Sequence, residues 1–139
     1  MRAWPLLAVL VVACSARSAA PVAIDTANDA CRQCRMIVSD ARLGGQVIAP
    51  AEEPWIFDDI GCLRAYLAAH PAPPGSSIYV ADHRTGTWIA ADEAVYTRVR
   101  NIATPMGSGI IAHADGESKD ADPAAREGLE LALAWNTPR

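Results

Sequence analysis

Apolar residues fall in short bursts along most of the chain. Gln46-Val47-Ile48, Trp55-Ile56-Phe57, Ile78-Tyr79-Val80, Thr87-Trp88-Ile89 and Gly109 to Ala112 are brief runs rich in branched and aromatic side chains, bounded by turn-forming residues. Such runs predict short strands. Met36-Ile37-Val38 reads as another strand, and Ala94-Val95-Tyr96 as a strand or the start of a short helix. The period changes after Phe57. Ile60, Leu63 and Leu67 share one face of a helix, Asp58-Asp59 supply its cap and Pro71 ends it. Gly116 to Ala121 is polar and predicts a loop. Asp122-Pro123 then opens a final helix, with Asp at the cap and Pro in the first turn, directing Leu129, Leu133 and Trp135 to the core. Strands, helix, strands, helix make an α+β fold.

The N-terminus follows a different pattern. Met1-Arg2 is basic, and Trp4 to Ala13 is an apolar run too short for the ~20 residues of a membrane-spanning helix. It closes on Val11-Val12-Ala13-Cys14, which resembles a lipobox. Residues 1–13 are therefore expected to be a lipoprotein signal peptide cut before Cys14. Acylation of that cysteine would give stable anchoring through several acyl chains. Residues 14–28 are expected to be the lipidated end and a flexible tether, and 29–139 the folded domain, divided into halves at 29–80 and 81–139.

Composition narrows the function. The chain has 12 basic and 16 acidic residues, and removal of residues 1–13 takes away one base, Arg2. Without a basic patch, nucleic acid is not an expected partner, and lipid head groups have no polybasic stretch to bind. Serine-hydrolase, zinc-protease and phosphate-binding motifs are absent.

Four cysteines remain the sharpest chemical signal. With Cys14 lipidated, Cys31, Cys34 and Cys62 are left, an odd number for an oxidising compartment. Cys31-Arg32-Gln33-Cys34 can chelate an ion, form a local disulfide or act in thiol–disulfide exchange. Cys62 lies in the first turn of the predicted helix as a core residue, ligand or disulfide partner. After signal removal only two methionines remain. Met36 follows Cys34 closely, and Met106 sits in Thr104-Pro105-Met106-Gly107-Ser108-Gly109, a loop with restricted Pro and flexible Gly. Thioether sulfur suits Cu(I) and serves Zn²⁺ poorly. Cys31, Cys34, Met36 and Met106 are thus candidate Cu(I) ligands, and Cys62 and His113 are further candidates.

These segments together resemble the NosL family, lipoprotein accessory factors of nitrous oxide reductase. The resemblance runs from Asp29 to about Asp115. It is carried by the Cys31/Cys34/Met36 cluster, Gly45-Gln46-Val47-Ile48, Trp55 to Cys62, Tyr79-Val80-Ala81-Asp82, Trp88-Ile89-Ala90-Ala91 and Thr104 to Gly109. It implies two small ββαβ halves in one compact unit, a topology shared with organomercurial lyase domains. It also implies a non-enzymatic Cu(I) chaperone on the periplasmic side of a bacterial membrane. The reductase and its membrane-bound maturation transporter would be its partners. Carried over by motif, Cys34, Met36 and Met106 would hold the metal, with Cys31 beside them. Arg35 departs from the Gly that commonly precedes this methionine in the family. A thiol–disulfide oxidoreductase using Cys31 and Cys34, or an organomercurial-lyase-like enzyme, would be the alternatives.

Overall fold

The computed structural model describes residues 19–135. The segment expected to be a signal peptide, with Cys14, lies outside these residues. Two antiparallel sheets and two helices form the α+β fold expected from the sequence. The first sheet comprises β1 (Gly45–Ile48), β2 (Trp55–Phe57), β3 (Ser77–Ala81) and β4 (Trp88–Ala90), in the order β2-β1-β3-β4. The second comprises β5 (Val95–Arg98), β6 (Ile110–His113) and β7 (Leu129–Leu131), in the order β6-β5-β7. Helix α1 (Ile60–Ala69) connects β2 to β3, and α2 (Gly116–Ala121) connects β6 to β7. Each half is therefore a ββαβ unit whose first strand lies between the other two. The added strand β4 pairs with β3, so the seam between the sheets falls between Ala90 and Val95, later than residue 80.

The core follows from strand alternation. Val47, Trp55, Phe57, Ile78 and Val80 bury one face of the first sheet together with Ile60 and Leu63 of α1. Leu67 packs on the edge of this cluster. The expected cap is formed by Asp59, whose side chain accepts the Gly61 N–H at 2.6 Å. On the other face, buried Gln46 grips the chain before the domain. Its Oε1 accepts from Val22 N and its Nε2 donates to Val22 O, while Tyr79 Oη donates to Ala19 O. Residues 19–22 are thus laid across the sheet, although the sequence suggested a free tether to residue 28.

Three local expectations are corrected. Met36–Val38 is no strand; only a single bridge links Ala30 to Ile37, because this stretch closes a tight loop around the cysteines. Gly116–Ala121 is a helix, capped by the Asp115 side chain on the Ser118 N–H at 2.8 Å. No helix follows Asp122-Pro123. A Cβ on Gly128 would come within 2.2 Å of Thr97 Cγ2, so the chain there lies directly against β5 and continues as β7. Leu129 is consequently exposed, whereas Leu133 and Trp135 pack against the core.

Candidate metal centre

Three sulfur-bearing stretches meet at the start of α1. The Cys31–Met36 loop is closed by Cys31 N–H to Met36 O at 2.8 Å and Arg35 N–H to Cys31 O at 2.9 Å. It is fastened to β2 by Arg32 N–H to Ile56 O at 2.7 Å. The Arg32 side chain adds a clamp, its guanidinium lying 4.6 Å from the Trp55 ring centre while Nε donates to Tyr66 Oη. Ligand atoms of Cys31, Cys34, Cys62 and Asp58 fall within 4.8 Å of one another. Cys31 and Cys62 are buried, and Cys34 is half-buried. All three are free thiols.

The adjacent acids divide their work. Both are fully buried; Asp59 is the helix cap, whereas Asp58 accepts from the Cys34 thiol at 3.2 Å. Its other oxygen has no partner. Sequence reasoning assigned both acids to the cap, since nothing in two consecutive aspartates tells which faces the thiols. Burial pushes the Cys34 thiol up to about 11, outweighing the Met36 N–H, which favours thiolate; Asp58 and Cys31 add to the rise. Burial likewise raises Cys62, helped by Cys31 and Asp58. These cysteines are therefore protonated at neutral pH, and a soft cation would have to displace a proton to bind.

Asp59 also reaches the second sulfur loop. Its Oδ2 accepts the Met106 N–H at 3.0 Å. Burial works against its charge. Hydrogen bonds from Ser108, Thr104, Gly61 and Met106 overcome that and hold the carboxyl below its ordinary range. The loop is braced by Gly109 N–H to Thr104 Oγ1 at 3.0 Å and Ile110 N–H to Ser108 Oγ at 3.1 Å. It sits tightly on α1, for a Cβ on Gly61 would meet Ser108 Cβ at 2.6 Å. Two neighbouring acids thereby touch the two distant stretches that carry Cys34 and Met106. Met36 and Met106 are 43% and 55% exposed, with Ile37 at 49%, so both thioethers stand at the surface of this end.

Arg35 occupies left-handed backbone space at φ 69°. A side chain there costs roughly 1–2 kcal/mol relative to a glycine, partly offset by glycine's greater freedom in the unfolded chain. Arg35→Gly is expected to leave stability unchanged or raise it by up to about 1 kcal/mol. Arg35→Val should lower it, as read by chemical denaturation.

His113 belongs elsewhere. It groups with His83 and Asp122, not with the cysteines. Asp122 Oδ2 accepts from His83 Nδ1 at 2.6 Å and from His113 Nε2 at 2.9 Å. His113 Nδ1 is buried without a partner, so Nε2, which faces Asp122, is the nitrogen placed to donate. Next to this group, Asp82 joins the halves: it accepts from Ala114 N–H and Ser118 Oγ, each on the second half. Burial opposes its charge, but these bonds and those from Thr85 bring its pKa from 3.8 to about 2. The unfolded chain then binds the proton more tightly. Asp82 should contribute about 2 kcal/mol of stability at neutral pH. That contribution is complete above the ordinary carboxylate range and is lost as pH falls toward 2. Denaturant titrations at pH 7 and pH 3 should show this loss, and Asp82→Asn should flatten it.

The model of the NosL family matches residues 21–129, most of the chain. The chain belongs to the NosL family. The fold agrees with the crystal structure of the copper chaperone NosL from Shewanella denitrificans. The TM-score is 0.59 at 18% identity, over 73% of this chain and 84% of that one. Comparison with curated proteins finds no match. Within the NosL match lie both sulfur loops, Asp58-Asp59 and Cys62.

Proposed function

We propose that this NosL protein is a copper chaperone that carries one Cu(I) ion at the start of α1. The observation that carries this reading is the pair Asp58 and Asp59, one bonded to Cys34 and the other to the Met106 loop. Cys34 supplies the charged ligand, and Met36 and Met106 supply neutral thioethers. Low-coordinate sulfur suits a closed-shell monovalent ion, and few bonds allow it to be passed on. Cys31 and Cys62 are close enough to take the ion or to hold Cys34 in place. Asp58 is placed to receive the proton that Cu(I) displaces from Cys34. The likeness of the fold to the copper chaperone NosL from Shewanella denitrificans supports the reading. The protein would act as a carrier, not an enzyme.

Delivery to nitrous oxide reductase through its membrane maturation transporter is the expected destination. Anchoring through Cys14 on the periplasmic side would fit it. Among the described residues no helix is long and apolar enough to cross a membrane. Only Ser15 to Ser18 separate Cys14 from the docked Ala19, a span of at most about 18 Å. An anchored domain would thus stay close to the bilayer.

The test is a titration of the reduced mature chain with Cu(I) against a competing chelator. One ion should bind tightly, and Met36→Ala and Met106→Ala should each weaken it. Unchanged affinity in both variants would refute the site. Reductase activity that ignores both methionines would favour the thiol–disulfide enzyme.

A further inference from the structure

We propose a second metal site, for a divalent ion of borderline character such as Zn²⁺ or Cu²⁺, made by His83, His113 and Asp122. The three residues come from separate stretches: the turn after β3, the end of β6 and the segment after α2. Each offers a ligand atom within 4.8 Å of the others. Two imidazole nitrogens already face one carboxylate oxygen, at 2.6 and 2.9 Å. Two imidazoles and a carboxylate suit divalent zinc and copper, whereas thiol and thioether suit Cu(I). The two centres would sort ions by charge and softness within one small domain.

An ion here replaces the two N–H protons that point at Asp122. Each ring would coordinate through the nitrogen that now faces Asp122 and carry its N–H on the opposite nitrogen. For His83 that nitrogen is Nε2. For His113 it is Nδ1, which is buried with no acceptor. This lack of an outer partner sets the affinity below that of a closed structural zinc centre. His113 is fully buried, while the His83 side chain is 13% exposed, so entry and any water ligand come from the His83 side. Asp122 is held in place by its other oxygen, which accepts the Ala124 N–H at 2.9 Å.

The site also has a mechanical consequence. His83 N–H donates to Ala112 O at 2.8 Å, where the turn after β3 already touches β6. A bound ion would clip the two sheets at this seam and raise the thermal midpoint.

The experiment titrates the reduced mature chain with Zn²⁺, and separately with Co²⁺ as a spectroscopic probe. One site should appear that lacks a thiolate-to-cobalt band and persists in Cys34→Ser. The melting temperature should rise on adding Zn²⁺. His83→Gln, at the accessible rim, should keep the fold and lower affinity about tenfold or more, with loss of the thermal shift. Asp122→Asn should do likewise. Absence of a divalent site overturns the proposal. So does a site that survives both His83→Gln and Asp122→Asn, or one that disappears with Cys34.

Discussion

Cys34→Ser should weaken Cu(I) binding by at least about 100-fold, equivalent to about 2.7 kcal/mol. A serine hydroxyl keeps the shape of the side chain and can still donate to Asp58. It removes the one half-buried sulfur placed beside both Met36 and the buried thiols. The loss should exceed the 10- to 100-fold typical of outer partners in metal sites, because the hydroxyl is a hard and reluctant ligand for a soft ion. Stability should change little, for the serine retains the hydrogen bond. Competition against a Cu(I) chelator measures the first effect and denaturant unfolding the second. Cys34→Ser with full affinity would mean that Cys31 or Cys62 is the essential thiolate.

Asp59→Ala should produce the largest combined loss of stability and binding. Its carboxylate accepts the Gly61 N–H as the helix cap and the Met106 N–H from the far loop. Loss of the cap costs about 1 kcal/mol. The Met106 N–H, deprived of a charged acceptor, adds roughly 1–2 kcal/mol. A total near 2–3 kcal/mol should lower the melting temperature by about 10 °C or more in a domain of this size. Copper affinity should fall about tenfold although no ligand has changed, because the Met106 loop loses its hold on α1. Asp59→Asn keeps one acceptor oxygen where the carboxylate offers two, so it should restore only one of the two bonds and recover about half of the loss. If Asp59→Ala binds copper as tightly as the parent, the Met106 loop does not depend on this bond.

Much of the fold could be read from local chemistry. Helix α1 was legible because Asp59, the spacing of Ile60, Leu63 and Leu67, and Pro71 all point the same way. The short strands were legible because each carries branched or aromatic residues between turns. The C-terminal end was not. Asp122-Pro123 is a strong helix start, but Gly128 must lie against Thr97, a long-range demand that no local pattern shows. The same holds for the centre. Cys31, Cys34 and the two methionines stood out by their chemistry. Asp58 did not, since a second aspartate before a helix is an ordinary cap. His83 and His113 are thirty residues apart, and only the seam between the sheets brings them to one carboxylate.

Cu(I) held jointly by the two sulfur loops is the central claim, and the mature chain allows a direct reading of it. From Cys14 onward the only methionines are Met36 and Met106, so ¹³C labelling of the methionine methyl groups in a protein of residues 14–139 yields two resonances. On adding one equivalent of Cu(I) to the reduced chain, both methyl signals should shift together and stop moving at one ion per chain. If one equivalent binds and the Met106 signal stays where it was, the ion is not shared between the two loops and the account is wrong.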